Sequence, residues 1–234
     1  MTRVAGVDGC PAGWLCVVRD LATGKIVSSV HEDADALFRG TMDAAVVAID
    51  IPIGLPDSGP RVCDQEARRL LRPGRSASVF PTPMRASLAG WTYHDACALS
   101  TAACGKSLSK QTYAILPKIR EVDSALRLSP ELQQRVREVH PEVCFHRWNG
   151  GRPMEHPKRS FDGHRDRRLL VEEAFGPVYE RVRQAHSRKA VADDDILDAF
   201  AALWTAQRIT EGRAVTIPAE PPRDGEGLPM EMVA

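Results

Sequence analysis

The run Ala44-Ala-Val-Val-Ala-Ile-Asp50 is apolar throughout until it ends in an aspartate. A continuous apolar run of this length predicts a β-strand that is buried on both faces and is therefore parallel to a neighbouring strand. A second such run, Val4-Ala-Gly-Val-Asp8, also ends in an aspartate. Open α/β sheets place their chemistry in the crevice beyond the carboxyl ends of their strands. Asp8 and Asp50 are therefore candidate site residues, although either can also be a simple strand-end turn residue.

The remaining periodicity predicts the rest of an α/β fold. The segments 14–18 and 25–30 complete an antiparallel three-strand meander with the first strand, and the alternation over 139–145 predicts a fifth strand. Helices are predicted over 33–39, 62–71, 109–126, 130–136, 169–185 and 193–211. The expected fold is a mixed five-stranded sheet, formed by the meander plus two parallel strands, flanked by helices. We expect one domain over 1–234, with a helical insertion at roughly 61–136, a flexible basic loop at roughly 147–168, and residues 230–233 pairing back on the sheet.

The composition limits the classes of partner. The 234 residues carry 31 Lys+Arg and 31 Asp+Glu, so the formal net charge is zero. This balance excludes a globally basic nucleic-acid coat, and any contact with nucleic acid must be a local patch. No apolar run reaches the roughly 18 to 20 residues that cross a bilayer, and no signal peptide is evident, so a cytoplasmic protein without a membrane partner is expected. The six cysteines form no C-x-x-C pair, which argues against a zinc site.

A late helix supplies a second group of carboxylates. The stretch Asp193-Asp-Asp-Ile-Leu-Asp198 puts Asp194, Asp195 and Asp198 on one face of its first turns. Small residues follow on that face, namely Ala201, Ala202 and Thr205. Small side chains let a helix lie close to a sheet, so these carboxylates are expected to reach the two strand-end aspartates. Aspartates that open a helix also complement its dipole, so Asp193 and Asp194 have a simpler structural interpretation.

Clustered carboxylates predict a cofactor. Several carboxylates within a few ångströms of one another do not all stay ionised unless cations join them. Magnesium prefers oxygen ligands and is usually held by one or two carboxylates together with substrate phosphates. Two such ions can stabilise both the attacking and the leaving oxygen of a phosphodiester displacement. The sequence therefore predicts Mg²⁺ or Mn²⁺, in a two-ion site.

The order of these elements resembles the ribonuclease H-like fold, in which the first strand, the fourth strand and the last helix supply metal-binding acids. Asp195-Ile-Leu-Asp198-Ala also resembles the Asp-x-x-Asp-Ala helix of RuvC-type resolvases. Six motifs are similar to those of a predicted ribonuclease H-like nuclease family, domain of unknown function four hundred and twenty-nine. They are Gly6-Val-Asp-Gly-Cys-Pro-Ala-Gly-Trp14, Ile49-Asp-Ile-Pro-Ile-Gly-Leu55, Ser78-Val-Phe-Pro81, Glu138-Val-His-Pro-Glu142, Asp194-Asp-Ile-Leu-Asp198 and Met230-Glu-Met-Val233. The resemblance implies that the acids of the site are Asp8, Asp50, Glu142, Asp195 and Asp198.

Other residues are candidates for supporting roles. On the predicted fifth strand, His140 and Glu142 share a face, so Glu142 is a candidate additional ligand and His140 a candidate proton shuttle or a structural histidine. Ser109, Lys110 and Gln111 open a predicted helix and are candidates for substrate binding, because helix N-termini attract anions. Two basic stretches are candidates for phosphate contacts or solvated surface; they comprise the arginines at 61, 68, 69, 72, 75 and 85, and the basic residues at 147, 158, 159, 165, 167 and 168. Arg85 is the member that we single out as substrate-binding.

The leading functional hypothesis is a metal-dependent phosphodiester hydrolase, a nuclease, whose partner is nucleic acid or a nucleotide. One alternative is an ATP-binding phosphotransferase or ATPase of the actin-like branch of these folds. The loop Gly9-Cys-Pro-Ala-Gly13 counts against it because the loop has no Thr, Ser or Lys for a phosphate. Another alternative is a non-catalytic module that binds nucleic acid or a nucleotide. The sequence leaves a homodimer open.

Overall fold

The structure is a computed structural model that describes residues 2–234. Five strands form one mixed sheet in the order β3-β2-β1-β4-β5. Their bounds are β1 Arg3–Cys10, β2 Gly13–Asp20, β3 Ile26–His31, β4 Ala44–Ile49 and β5 Val136–Glu138. Strands β1, β2 and β3 form the antiparallel meander, while β4 lies parallel to both β1 and β5. The predicted fold class is therefore confirmed.

Most helices lie between or after the last two strands of this sheet. They are α1 Ala34–Gly40, α2 Val62–Leu70, α3 Tyr93–Cys104, α4 Lys110–Leu128, α5 Pro130–Arg135, α6 Pro141–Trp148, α7 Phe161–Phe175, α8 Tyr179–Ala185 and α9 Asp193–Thr210. Helix α3 was not predicted; a reciprocal capping box between Thr92 and Asp95 begins it. No helix in the described residues is long and apolar enough to cross a membrane.

The predicted fifth strand over 139–145 is wrong in position. Strand β5 ends at Glu138, and α6 begins at Pro141, directly after its N-cap residue His140. Proline is well suited to the first helical position because its fixed φ is already helical and it needs no amide donor there. The apolar residues Val143, Cys144 and Phe145 are buried consecutively on this helix. His140 and Glu142 therefore do not share a strand face.

The basic loop and the C-terminal strand also differ from the predictions. The basic loop expected over 147–168 covers only residues 149–160, because the Ser160 side chain accepts a hydrogen bond from the Gly163 amide and starts α7. The helix expected from residue 169 accordingly begins at Phe161. Residues 232–233, strand β7, pair with β6 (Thr216–Ile217) in a separate two-stranded sheet and not with the main sheet.

Helix α9 lies directly on the main sheet. Gly6 of β1 has no side chain, and a Cβ atom there would stand 2.1 Å from the Leu203 amide nitrogen and 2.2 Å from the Ala199 carbonyl oxygen. The close approach that the sequence predicted is present, but the small residue that permits it here is Gly6 of β1, which faces Ala199 and Leu203 of the helix. Helices α1 and α4 cover the opposite face of the sheet. Leu37 of α1 and Leu116 of α4 are fully buried there in a hydrophobic cluster with side chains of the sheet. The sheet is covered on both faces, so its strand ends are left as the place for a site.

Candidate functional site

A cavity of about 680 Å³ opens at the carboxyl ends of β1, β4 and β5. Asp8, Asp50 and Glu138 line it from these three strands. The Asp50 amide donates to the Val7 carbonyl at 3.0 Å, which continues the parallel pairing of β1 with β4. Asp8, two residues before the end of β1, and Asp50, directly after β4, therefore lie side by side on adjacent strands.

Asp198 joins these two aspartates from α9. Asp8 is 7% exposed and Asp198 is 4% exposed. Burial raises the pKa of Asp8 well above its usual value, and the charges of Asp50 and Asp198 raise it further. Burial, and then the charge of Asp198, raises the pKa of Asp50 to about 7. Because each carboxylate resists the ionisation of another, the three groups act as one electrostatic cluster.

Lys158 is the counter-ion of this cluster. Its Nζ donates to Asp198 Oδ2 at 2.7 Å and lies 3.4 Å from Asp194 Oδ2. Burial lowers the pKa of Lys158, but the negative charges of Asp198 and Asp194 outweigh that effect, so the net direction is upward. The loop that carries Lys158 is held by Arg75, whose side chain donates to the carbonyls of Met154 at 3.0 Å and Glu155 at 2.8 Å. The site therefore has a cation supplied by the chain itself.

Glu142 lies at the same cavity, in the first turn of α6. One of its carboxylate oxygens accepts from Arg167, and the other, Oε2, is buried without a hydrogen-bond partner in residues 2–234. Arg167 is itself 1% exposed on α7. The sequence placed Arg167 among candidates for phosphate contacts, and this is wrong because the guanidinium is buried as the partner of Glu142.

The oxygen donors of this cluster are of the chemical type that hard divalent cations prefer. Asp8, Asp50 and Asp198 offer carboxylate oxygens, which Mg²⁺ and Mn²⁺ prefer, and Glu142 adds the unpartnered Oε2. Among the described residues, no three or more His, Cys, Asp or Glu side chains already stand together as a metal site. The ammonium group of Lys158 lies among the carboxylates instead.

His140 lines the cavity between β5 and α6. Its Nε2 lies 3.2 Å from the Ser78 carbonyl oxygen, and because a carbonyl only accepts, this nitrogen carries the hydrogen. Its Nδ1 is buried without a partner in the part of the chain described. Burial lowers the pKa of His140, so the ring is neutral near pH 7 and Nδ1 is a proton acceptor.

The other acids of α9 have structural partners. The Asp195 carboxylate accepts from the Ala192 amide at 2.8 Å and so caps the helix, and Asp195 does not line the cavity. Asp193 is paired with Arg183 and Arg188, while the N-cap position belongs to Ala192. Of the two acids spaced three apart, Asp198 lines the cavity with Asp8 and Asp50, whereas Asp195 lies outside the lining and acts on Asp8 only through its charge, which raises the pKa of Asp8.

Of the predicted substrate-binding residues, Gln111 lines the cavity. Ser109 caps α4 by accepting from the Thr112 amide at 3.0 Å, and neither Ser109 nor Lys110 reaches the cavity. Arg85 lies away from it, paired with Asp123 and Asp224.

Lys118 lines the cavity two helical turns after Gln111, although the sequence analysis missed it. Its ammonium group lies 4.4 Å from the centre of the Trp14 ring and donates to the Gly13 carbonyl. The spacing of seven residues along a predicted helix was the available signal, because residues two turns apart share a face.

Comparison with known proteins gives one match. A family described as "Protein of unknown function (DUF429)" matches residues 6–223, a range that begins in β1 and includes every residue of the carboxylate cluster. No curated protein and no solved structure matches the chain. The match covers nearly all of the chain and includes five of the six motifs identified in the sequence, while Met230-Glu-Met-Val233 lies beyond it. The chain belongs to the DUF429 family of proteins of unknown function.

Proposed function

We propose that this chain hydrolyses phosphodiesters in nucleic acid or nucleotides, using Mg²⁺ or Mn²⁺ held by Asp8, Asp50 and Asp198. One observation carries the proposal: three carboxylates from two adjacent parallel strands and one helix, of which Asp8 and Asp198 are buried and Asp50 is partly buried, line one cavity of about 680 Å³. A fold does not gain stability by crowding like charges at strand ends, as the raised pKa values of all three groups indicate. Such an arrangement is typical of a functional site.

The side chains around the cluster have complementary tasks in this reaction. Bound divalent cations would neutralise the carboxylates and polarise the scissile phosphate. Lys158 would leave Asp198 as cations bind, and its ammonium group would then be available to the phosphate. His140 presents the unpartnered Nδ1, which would accept a proton from the attacking water. Lys118, which also lines the cavity, would supply a second positive charge near the phosphate.

The alternative of an actin-like ATPase has less support. Cys10 of β1 pairs directly with Gly13 of β2, so only Pro11 and Ala12 separate the two strands. A two-residue turn of this kind gives a phosphate group few amides to contact, and the Ala12 amide already donates to the Ala190 carbonyl at 3.1 Å. The binding-module alternative differs from the proposal only in lacking hydrolysis, so the same experiment separates the two.

The test is cleavage of labelled single-stranded and duplex DNA and RNA in the presence of Mn²⁺ or Mg²⁺. We expect wild-type protein to cleave at least one substrate and the Asp50→Asn variant to lose about 100-fold or more of that activity. The matched control is Asp35→Asn, which makes the same change at an exposed position of α1 outside the cavity, and it should cleave normally.

Three results would contradict the proposal. Metal binding without cleavage of any substrate would favour the binding module. Undiminished cleavage by Asp50→Asn would show that the reaction takes place at a centre other than the carboxylate cluster. Cleavage that persists unchanged in a chelator would remove the divalent cation from the mechanism.

A further inference from the structure

The cavity changes character between its floor and its mouth. Buried carboxylates form the floor, whereas the mouth is lined by exposed residues that include Phe80, Pro81 and Gln111. The apolar part of the lining comes from the Ser78–Pro83 segment, the turn after β4 and α4. It comprises Phe80 and Pro81, which are exposed at the mouth, the partly buried Pro52 and Ile115, and the buried Ile51 and Val79. A ligand that fills this cavity must therefore carry a charged group at one end and a flat or apolar group at the other.

Phe80 is an exposed aromatic side chain on a segment that is held in place. It is 47% exposed. On one side of it, the Val79 carbonyl accepts from Arg68 Nε at 2.9 Å. On the other side, the Pro81 carbonyl accepts from the Thr112 hydroxyl at 3.4 Å. An aromatic ring exposed on a segment that α2 and α4 fix from two sides is suited to stacking against a ligand, because little order remains to be imposed when the ligand binds.

We propose that this cavity receives a single unpaired nucleotide, whose base stacks on Phe80 while its phosphodiester reaches the carboxylate floor. The position of the phosphodiester rests on the proposed function. A volume of about 680 Å³ lies within the range of about 300–1,000 Å³ that is usual for sites of small ligands. A base inside a duplex is already stacked and paired, so it reaches an aromatic side chain in such a cavity only after leaving the helix, at a cost in free energy.

A groove beside the mouth of the cavity offers a place for the rest of a single-stranded nucleic acid. Arg159 lines both the cavity and an adjoining open groove of about 510 Å³, whose lining also includes Ser160, Phe161, Asp193 and Asp194. Arg159 is exposed and makes no ion pair within residues 2–234, so its guanidinium is available to a phosphate. A single strand that places one nucleotide in the cavity can thus leave along this groove.

Equilibrium binding tests this inference separately from hydrolysis. Fluorescence anisotropy in Ca²⁺ measures the affinity for a short labelled single strand, with a dinucleotide and a blunt duplex of the same sequence as competitors. We expect the single strand and the dinucleotide to bind at least about tenfold more tightly than the duplex. Phe80→Ala should weaken the binding of the single strand by roughly 5- to 150-fold, and Phe80→Trp should retain it, because stacking needs the ring.

Trp91→Ala is the matched control, because Trp91 is 86% exposed and lies outside the cavity. It should bind like the wild type. Equal affinity for the duplex, or equal losses in Phe80→Ala and Trp91→Ala, would overturn the inference. Binding of unpaired nucleotides without any Mn²⁺-dependent cleavage would contradict the proposed function and support this inference. Cleavage that Phe80→Ala leaves unchanged, with unchanged binding, would contradict this inference alone.

Discussion

Asp50 links the cluster to the pH dependence of stability. Its pKa in the folded chain is about 7, because of burial and then the charge of Asp198, whereas an unfolded chain has about 3.9 for Asp. Between these values the folded state binds more protons than the unfolded state. The free energy of unfolding contributed by Asp50 therefore falls as pH rises from about 4 to about 7 and is constant above that range.

The first prediction follows for Asp50→Asn in the absence of metal. Asn cannot ionise, so the difference in free energy of unfolding between the variant and the wild type should shift in favour of the variant by on the order of 3 kcal/mol between pH 4.5 and pH 8. Urea unfolding at several pH values measures this difference. Asp35→Asn should show no such trend, and a flat difference for Asp50→Asn would mean that the carboxylate is ionised at low pH in the folded chain.

The second prediction concerns Lys158, which occupies the place where a divalent cation is proposed to bind. Lys158→Met removes the ammonium group that lies 2.7 Å from Asp198 Oδ2. Without this competitor, Mn²⁺ should bind about tenfold more tightly or better, which corresponds to about 1.4 kcal/mol. Isothermal titration calorimetry measures the affinity, and Lys25→Met, at an exposed turn, is the control. Weaker Mn²⁺ binding in Lys158→Met would show that the lysine supports the metal.

The sequence singled out the acids of the cluster, whereas it placed their counter-ion Lys158 only among basic residues that contact phosphate or form solvated surface. Asp8, Asp50 and Asp198 interrupt apolar segments, where a carboxylate is conspicuous. Lys158 stands in a polar, basic stretch that offers no periodicity, and only the folded loop brings it to Asp198. Arg85 shows the reverse error, since its charge suggested a phosphate contact but its partners are Asp123 and Asp224.

At the scale of elements, the distance from α9 to β1 decides whether Asp198 reaches Asp8. Gly6 allows this approach, because any Cβ there would overlap backbone atoms of α9. Backbone atoms of a packed helix cannot move aside locally, so the whole helix would shift. The position of the site therefore depends on a residue that does not line the cavity.

The third prediction is that Gly6→Ala lowers the free energy of unfolding by about 3 kcal/mol or more and weakens Mn²⁺ binding in the fraction that folds. Urea unfolding and calorimetry measure the two effects. Gly225→Ala is the control, because a Cβ there meets only the end of the Asp57 side chain, at 3.3 Å. A stability change as small as that of the control would show that α9 has room to move away from β1.

The boundary between β5 and α6 shows why element positions were harder to predict than element types. The alternation of apolar and polar residues over 139–145 satisfies a period of two, yet Pro141 begins a helix within it. The strand itself is Val136–Glu138, too short for any pattern to be recognised. Its place is set by pairing with β4, where Ile49 lies opposite Glu138, and that contact joins residues far apart in the chain.

At the scale of the whole molecule, distant parts of the chain are tied together around the site. Asp224, in the C-terminal segment, accepts from the Leu55 amide at 2.8 Å and pairs with Arg85, which also contacts Asp123 of α4. Arg61 is buried between Glu138 at the end of β5 and Asp64 of α2. These ion pairs connect the helices inserted after β4 to the sheet edge, so they hold the walls of the cavity in place.

The last prediction is that binding of Mn²⁺ raises the melting temperature of the whole chain. A ligand that binds only the folded chain stabilises all of it, by about 2.7 kcal/mol at a concentration 100 times its Kd. For a chain of this size, that corresponds to a rise in Tm of about 5–10 °C. Mn²⁺ should produce this rise in the wild type, and differential scanning calorimetry measures it.

Asp8→Asn separates metal binding from non-specific stabilisation by salt. The variant lacks one carboxylate whose pKa is raised by burial and by Asp50, so its metal-free Tm should equal or exceed that of the wild type. Its response to Mn²⁺ should nevertheless be largely lost, because an amide oxygen carries no charge to attract the cation. An equal rise in both proteins would place the bound Mn²⁺ elsewhere in the chain. A metal-free Asp8→Asn that fails to fold would assign this aspartate to the fold, since relief of repulsion can only favour the folded state.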